Sequence, residues 1–410
     1  MSSSWDKSEK FNRRSFFKKA AAIGLGATVG GTSLLQPGQT SAQITIPKEP
    51  VSRKPFGRSG IMVSALSLGG MFDILNNQLV LAKAFDWGIN YWDTAEGYGG
   101  GRSEEGIGRW FARKPQTREQ VFLVTKISRR RGGDFTARLE ESLKRMNTDY
   151  VDLLFVHGIR SINEMEAGLE SWAQAMKKAG KIKLFGFSTH SNMEACLEGA
   201  AHLPWIDGIM FSYNYRLMHE PRMNAAVEAC YRAGIGLTAM KTQGGGPAKS
   251  DTESEFQMAG RFLQKGFTDN QAKLMAVWQD KRIASICSQM PNLTILATNA
   301  VAALEKGRLS RSDRNLLARY ARETSADYCA GCERLCSEAL PARVPISDVM
   351  RCLMYYNSYQ DLELARSTFE TLPVQTKALL TRLDFRDAEK ACPRKLPIGR
   401  LMRETASLFV

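Results

Sequence analysis

The sequence predicts an α/β fold: a (β/α)8 TIM barrel followed by a small C-terminal helical, cysteine-rich domain. Apolar, strand-like blocks alternate with stretches of helical periodicity from about Val63 onward, and there are eight such units. Eight is the number that closes a parallel barrel. Parallel neighbours need crossover connections, which the intervening helices would provide. The predicted strands are Ala65–Leu68, Asn90–Thr94, Val121–Lys126, Val151–Val156, Lys183–Ser188, Ile206–Tyr213, Gly236–Met240 and Ser285–Met290.

The length of the chain, 410 residues, is sufficient for a barrel and a smaller second domain. An open, doubly wound sheet is the alternative, but no G-x-G-x-x-G follows the first strand, and Gly69–Gly70 alone does not supply it. The predicted domains are a signal peptide at 1–42, the barrel at 43–321 and the C-terminal domain at 322–410. The longest barrel loop, from Gln243 to about Asn270, is glycine-rich and then polar, which makes it a candidate lid over a cofactor.

The first 42 residues are predicted to be a targeting segment rather than part of the fold. Asn12–Lys18 contains Arg13 and Arg14 and resembles a twin-arginine export signal. A weakly apolar stretch follows at Ala20–Leu35, and Thr40–Ala42 has the small residues that a signal peptidase accepts. A basic tail without a targeting role is the alternative, since arginine pairs are common. The order of the three parts favours export through the twin-arginine machinery to the periplasm or another extracytoplasmic location.

The composition is that of an ordinary globular protein, with 43% hydrophobic and 24% charged residues. The formal net charge is +14, but no basic patch is interleaved with aromatic residues, so we expect no nucleic-acid partner. No apolar run is long enough to act as a stable membrane anchor.

Polar side chains recur at the carboxyl ends of three consecutive predicted strands. Asp93 ends one strand, Lys126 lies near the end of the next, and His157 lies near the end of the third. Tyr98 lies on the loop after Asp93, and Ser103 is predicted to cap the helix that follows. Taken alone, Asp93 could cap a turn and Tyr98 could be an ordinary loop aromatic. The recurrence favours a catalytic site, because barrel enzymes keep their chemistry at this face.

Six pieces of the chain, in order, resemble the aldo-keto reductase family. They are RKPFGRSGIMVSALSLGG, WDTAEGYGGGRSEEGIG, LVTKI, LFVHGI, GFSTHSN and GIGLTAMKTQGGG, and they lie within roughly residues 51 to 305. The resemblance implies a nicotinamide-dependent reductase of small carbonyl substrates. It maps the family's catalytic tetrad onto Asp93, Tyr98, Lys126 and His157.

The same resemblance suggests how the cofactor, NADP(H) or NAD(H), is held. It places Ser188 and Asn214 at the nicotinamide carboxamide and Asn299 near the adenine end. The sequence departs from the family at Thr189 and Met210, where asparagine and glutamine are frequent. Ordinary hydrogen bonding at strand ends is an equally good account of Ser188 and Asn214.

The tetrad has a clear chemical logic. Hydride transfer to a carbonyl leaves negative charge on the oxygen, and a proton must follow. A free phenol has a pKa near 10, so the Lys126 ammonium is expected to lower the pKa of Tyr98. Asp93 would keep Lys126 charged and oriented, and His157 would position and polarise the carbonyl.

The region after about Arg322 contains five of the eight cysteines. Cys329, Cys332 and Cys336 have C-x2-C-x3-C spacing, and Cys392 precedes a proline. This region resembles the ferredoxin-like cluster domain found at the C-terminus of some aldo-keto reductases. A [4Fe-4S] cluster on these four cysteines is favoured; structural zinc and disulfides are the alternatives. Twin-arginine export supports the cluster, because that route moves folded, cofactor-loaded proteins.

The sequence therefore predicts an exported aldo-keto reductase-type oxidoreductase with an iron–sulfur cluster. Its partners would be a small carbonyl substrate, a redox partner protein and the twin-arginine export machinery. The alternatives are an electron-transfer protein or a binding protein that uses the barrel as a scaffold.

Overall fold

The predicted barrel is present and closed. The computed structural model describes residues 47–165, 168–245, 252–304 and 309–409. Eight parallel strands form the barrel: each pairs with the next one along the chain, and the last pairs with the first. The strands are β3 Leu66–Gly69, β4 Tyr91–Asp93, β5 Phe122–Ile127, β6 Val151–Ile159, β7 Ile182–Thr189, β8 Gly208–Ser212, β9 Gly236–Met240 and β10 Ser285–Gln289.

Helices follow the strands and surround the barrel. A strand buried on both faces needs a nearly continuous apolar run, and almost every residue of these strands is buried. The helices present one apolar face to the strands and a polar face outward, as the helix at Arg102–Arg113 does. They are α1 Gln78–Asp86, α2 Arg102–Arg113, α3 Phe135–Arg145, α4 Leu169–Lys178, α5 Met193–Ala200, α6 Pro221–Arg232, α7 Glu253–Gln264, α8 Asp269–Trp278, α9 Leu293–Leu304 and α10 Arg311–Glu323.

The predicted loop from Gln243 to about Asn270 is not irregular throughout. Helix α7 lies inside it, started by Thr252, whose hydroxyl accepts a hydrogen bond from the backbone N–H of Glu255. Residues 246–251, the glycine-rich part of the candidate lid, lie outside the described residues.

A short antiparallel hairpin that the sequence did not suggest closes the amino end of the barrel. Its strands are β1 Arg53–Pro55 and β2 Met62–Ser64. Between them Phe56 is fully buried inside the barrel. A Cβ at Gly236 would lie 2.4 Å from the ring of Phe56, so this position must be glycine for the ring to enter.

The C-terminal region is helical, as predicted, and has its own hydrophobic core. The described residues nevertheless all belong to one compact unit. The predicted boundary at 321–322 falls in the last turn of α10. The remaining helices are α11 Glu333–Ser337, α12 Ile346–Leu353, α13 Leu362–Glu370, α14 Val374–Leu379, α15 Arg386–Ala391 and α16 Ile398–Phe409, with a π-helical turn at Met354–Ser358.

The predicted signal peptide, residues 1–42, lies outside the described residues. Within the described residues, no helix is both long enough and apolar enough to cross a bilayer.

Candidate active site

The structure brings the four predicted tetrad side chains together at the carboxyl ends of β4, β5 and β6. Lys126 is at the centre. Its ammonium donates hydrogen bonds to Asp93 Oδ2 at 2.6 Å, to the backbone carbonyl of Thr94 at 2.8 Å and to the hydroxyl of Tyr98 at 3.3 Å. Asp93 and Lys126 are almost completely buried. This buried chain from carboxylate to ammonium to phenol can hold and transfer a proton at Tyr98.

His157 lies on the other side of the phenol. Its ring meets the ring of Tyr98 edge-on, with 5.8 Å between centroids and an angle of 79° between planes. The Lys126 ammonium also lies 4.8 Å from the centroid of the Tyr98 ring. A carbonyl oxygen next to the Tyr98 hydroxyl would therefore also be near His157.

The loop that carries Tyr98 depends on its three glycines. Gly99, Gly100 and Gly101 have φ values of 58°, 66° and 104°, in the region that other residues avoid. They turn the chain sharply from Tyr98 into α2. The N-cap of α2 is Gly101, so the prediction that Ser103 caps this helix is wrong. The Ser103 hydroxyl instead donates to the carbonyl of Gly70 at 2.7 Å, tying the loop to the end of β3.

The electrostatics of the phenol differ from the expectation. Burial raises the pKa of Tyr98 above its usual value, and the Lys126 charge, which acts to lower it, does not reverse that shift. Lys126 therefore acts in the predicted direction, but the net shift is upward, because the cost of burying a phenolate exceeds the attraction of one ammonium. Tyr98 is consequently held in the neutral, proton-donating form.

The other three groups are held in definite charge states. Burial alone would lower the pKa of Lys126, but Asp93, Tyr98 and Cys287 together outweigh burial, so the net shift is upward and the ammonium stays charged. Burial lowers the pKa of His157 well below its usual value, and Lys126 and Arg351 act in the same direction. The imidazole is therefore neutral and can donate one N–H.

A fifth side chain, Cys287 on β10, belongs to this cluster. Its thiol lies 3.7 Å from Asp93 Oδ2, and burial raises its pKa, so it remains a neutral thiol. The second carboxylate oxygen, Asp93 Oδ1, has no hydrogen-bond partner among the described residues. The sequence pattern did not single out Cys287; the contact depends on β10 closing the barrel beside β3.

The charge states predict the pH dependence of kcat/KM for carbonyl reduction, which reports groups of the free enzyme. Tyr98 must be protonated and His157 neutral. Because the pKa of Tyr98 is raised and that of His157 is lowered, kcat/KM should stay flat from below about pH 6.5 to about pH 10, the usual values of the two groups. A pH–rate profile of the wild type checks this, and a descending limb near neutral pH would contradict it.

Lys126→Met extends the test. It removes the charge that lowers the pKa of Tyr98, so any alkaline limb should move to higher pH. Lys83→Met, which removes an exposed lysine paired with Asp86 at 3.0 Å, is the control and should leave the profile unchanged.

Comparison with known proteins identifies the family of this chain. The family model described as "Aldo/keto reductase family" matches residues 72–304, more than half of the chain. The chain belongs to the aldo/keto reductase family. The predicted fold class and the assignment to aldo-keto reductase-type oxidoreductases are thereby confirmed.

Individual relatives are distant. "Aldo-keto reductase yakc [NADP(+)]" of Schizosaccharomyces pombe is 37% identical over 27% of this chain and 36% of its own length. "D-threo-aldose 1-dehydrogenase" of Pseudomonas sp is 28% identical over 54% of this chain and 75% of its own length. The solved aldo-keto reductase of Klebsiella pneumoniae in complex with NADPH is 22% identical, with a TM-score of 0.53, covering 66% of this chain and 95% of that one. The chain thus matches little more than a third of the first of these relatives.

The predicted cofactor residues of this reductase are only partly free to bind a nicotinamide. The Ser188 hydroxyl accepts a hydrogen bond from the N–H of Gly158 at 3.0 Å and keeps its own proton to donate. The Asn214 amide donates to the carbonyl of Lys241 at 3.1 Å and to the hydroxyl of Tyr328 at 3.0 Å. Asn214 is completely buried, and its oxygen accepts from the N–H of Arg216, so all its main hydrogen-bonding positions are used within the protein.

Asn299 lies on α9, apart from the tetrad. Its amide donates to the hydroxyl of Ser288 at 3.1 Å, just beyond the middle of β10. The contact is compatible with routine strand-end hydrogen bonding.

The C-terminal region contributes directly to the catalytic face of the reductase, which the sequence did not indicate. Tyr328 bonds to Asn214, and the hydroxyl of Tyr355 accepts from the ammonium of Lys241 at 2.9 Å. Arg216 donates to the carbonyls of Ala321 and Thr324 at 3.1 and 3.4 Å. Residues after the barrel are therefore packed onto the ends of β8 and β9.

The four predicted metal ligands also converge. Cys332 precedes α11, Cys336 lies in it, and Cys392 ends α15. Burial raises the pKa of Cys332 to about 11 and that of Cys336 to about 12. A negative charge on Cys392 would act in the same direction on both pKa values. Negative charge on any of the other three thiols would likewise raise the pKa of Cys329. Cys336 and Cys392 belong to one hydrophobic core, and Cys329 packs against it, so the helical region returns Cys392 to the neighbourhood of the other three.

The described residues contain four neighbouring free thiols but no formed metal site. All eight cysteines are free thiols. In the described part of the chain, no three histidine, cysteine or acidic side chains are grouped so that they could hold one metal ion. Four thiolates around one zinc lie about 4 Å apart, as bonds of about 2.3 Å in a tetrahedron require. The thiols are therefore neighbours, but they are not gathered as one zinc ion would gather them.

Proposed function

We propose that this protein reduces the carbonyl group of a small compound, with NADPH as the hydride donor and Tyr98 as the general acid. The observation that carries the proposal is the buried chain from Asp93 through Lys126 to Tyr98, with neutral His157 against the phenol. The NADP(+) in the name of the fission-yeast relative and the NADPH in the Klebsiella complex support this choice of cofactor.

The residues divide the proton chemistry between them. The cofactor would supply the hydride to the carbonyl carbon. Tyr98 donates its proton to the oxygen, which completes the alcohol. Lys126, kept charged by Asp93, stabilises the phenolate that remains until solvent restores the proton. His157 donates an N–H hydrogen bond to the same oxygen and so favours the charge that develops there.

The residues fit the cofactor in part. Ser188 can still donate to a carboxamide, whereas Asn214 can do so only if Tyr328 or the Lys241 carbonyl releases its amide. Carbonyl-dependent oxidation of NADPH by the purified protein, measured with a panel of small aldehydes and ketones, tests the function. Tight NADPH binding without turnover on any of them would reject it.

We also propose that Cys329, Cys332, Cys336 and Cys392 hold a [4Fe-4S] cluster. The four thiols are free, Cys336 and Cys392 lie in one hydrophobic core, and Cys329 packs against that core, which supports the proposal. A cubic four-iron cluster gives each thiolate its own iron and therefore spaces the sulfurs more widely than one zinc ion does. When bound, the cluster would supply one-electron transfer, with a redox partner protein.

A second function, electron transfer with the barrel as a scaffold, is favoured by one observation. The predicted carboxamide contact of Asn214 is used by Tyr328, the residue directly before Cys329. Equilibrium titration with NADPH separates the two functions, since the scaffold function predicts no binding and the reductase requires it.

We further propose export by the twin-arginine pathway, supported by the order of the segments within residues 1–42. Replacing both Arg13 and Arg14 with lysine should retain the protein in the cytoplasm, because the receptor recognises the pair. Cell fractionation measures this. Lys18→Arg with Lys19→Arg is the matched control and should export normally; normal export of the first variant would contradict the proposal.

A further inference from the structure

A cavity of about 360 Å³ lies between the carboxyl ends of β7, β8 and β9 and the C-terminal region. We refer to it as the cap cavity. Its polar lining comes from both sides of the junction, and Met193, Met350 and Leu401 add an apolar wall. Its volume is at the lower end of the range for ligand pockets, which suits a small molecule. The polar side chains that matter here are His190, Ser212, Lys241 and Arg351.

Lys241 is the first of two cations in the cap cavity. It follows β9 with a φ of 56°, a conformation that lysine adopts only at a cost in free energy. Its ammonium donates to the hydroxyl of Tyr355, which the π-helical turn at Met354–Ser358 carries, and it lies 4.5 Å from the centroid of that ring. No carboxylate pairs with Lys241 in the part of the chain that the structure describes.

Arg351 is the second cation. It contacts Asp348 Oδ1 at 2.8 Å, but the other oxygen of that carboxylate pairs with Arg160. One carboxylate is thus shared by two guanidinium groups, although Glu333 lies 3.9 Å from Arg160. A guanidinium has five N–H donors, so Arg351 keeps donors for a ligand.

The lining of the cavity contains two cations and one of the proposed cluster ligands, Cys329. No aspartate or glutamate is among its described lining residues. His190 bonds to the hydroxyl of Ser212 at 2.9 Å, and burial lowers its pKa well below the usual value, with Arg351 and Lys241 acting in the same direction. The charge of Arg351 also contributes to the lowered pKa of His157. The cap cavity therefore contains two cationic side chains and lies at the same face of the barrel as the tetrad, because β7, which precedes His190, pairs with β6, which carries His157.

We propose that the cap cavity binds an anionic group of the substrate, so that this enzyme acts on small carbonyl compounds that carry a carboxylate or a phosphate. The assignment rests on the proposed reductase function. Lys241 and Arg351 would hold the anion through charge-assisted hydrogen bonds, and the carbonyl would lie toward Tyr98 and His157. The apolar wall would contact the carbon skeleton between the two groups.

Kinetics on matched aldehydes tests the proposal. The substrates are 4-carboxybenzaldehyde, 4-formylphenyl phosphate and the neutral methyl 4-formylbenzoate; the first two tell which anion is preferred. Lys241→Met and Arg351→Met should each raise KM for the charged aldehydes roughly tenfold to a hundredfold, the range for a lost hydrogen bond to a charged group. Each should lower kcat/KM much less for the neutral ester than for the charged aldehydes.

Two control variants accompany the experiment. Lys241→Arg retains the charge and should restore most of the affinity. Lys83→Met removes an exposed lysine elsewhere and should change nothing. If Lys241→Met weakens NADPH binding while leaving the preference for charged aldehydes intact, the lysine serves the dinucleotide and the proposal is overturned. Equal losses on charged and neutral aldehydes also overturn it.

Failure of the reductase function is distinguishable. If the wild type turns over none of the aldehydes, the proposed reaction fails, and the substrate assignment fails with it. Calorimetry with benzoate and phenyl phosphate on the same protein then decides the cavity by itself. Binding that Lys241→Met abolishes retains the anion site, and absence of binding removes it.

Discussion

Tyr98→Phe is expected to lower the turnover of carbonyl reduction by about a hundredfold to ten-thousandfold, the usual range for loss of a general acid. Phenylalanine keeps the ring that packs against His157 but has no proton to give. The only described protein contact of the hydroxyl is the 3.3 Å hydrogen bond from Lys126, so the fold should be retained. Steady-state and single-turnover rates with NADPH measure the effect.

The matched control is Tyr231→Phe, which removes the hydroxyl of a half-exposed tyrosine on α6. It should leave turnover unchanged, and both variants should bind NADPH as the wild type does. A Tyr98→Phe enzyme with undiminished turnover would mean that another group delivers the proton. His157 would then be a candidate, although its lowered pKa leaves the imidazole without an acidic proton at neutral pH.

Cys392→Ser is expected to lose the iron and to loosen the C-terminal region. Wild-type protein purified without oxygen should be brown and contain about four irons per chain if the cluster is of the four-iron type. Removing one of four ligands should release most of the metal. Because ligation would connect α11 to α15, thermal unfolding should begin earlier in the variant. Metal analysis, the visible spectrum and differential scanning calorimetry measure these effects.

Cys352→Ser provides the control for burial. Cys352 lies in the same hydrophobic core as Cys392 and is fully buried, but it is not one of the four proposed ligands. Both variants introduce a hydroxyl into that core, whereas only Cys392→Ser should lose iron. Zinc in the wild type, or full iron content in Cys392→Ser, would refute the cluster.

The C-terminal region is structurally coupled to the barrel, whatever the cysteines hold. Tyr328 is next to Cys329 in sequence and bonds to Asn214 at the end of β8. Cys329, one of the four thiols, is therefore the neighbour in sequence of a residue that contacts the catalytic face. Loss of the metal would be expected to affect both the stability of the region and the environment of Asn214.

The sequence alone determined the barrel, its strands and the location of the tetrad. Each depends on local pattern: an apolar run forms a buried strand, and the ends of neighbouring parallel strands meet at one face. Gly236–Met240 was predicted to the residue, and the other barrel strands differ by a few residues at their ends. Asp93, Lys126 and His157 could be grouped because they end consecutive strands.

Only the tertiary structure decided the properties that depend on distant parts of the chain. The net shift of the Tyr98 pKa is upward because burial, a property of the whole fold, outweighs one neighbouring charge. Asn214 is occupied by Tyr328, 114 residues later, and Lys241 by Tyr355, also 114 residues later. Cys287 reaches Asp93 because the last strand closes against the first. Sequence pattern reports which residues are buried, but not which distant residue fills the space beside them, because that depends on how the helices after the barrel pack back onto it.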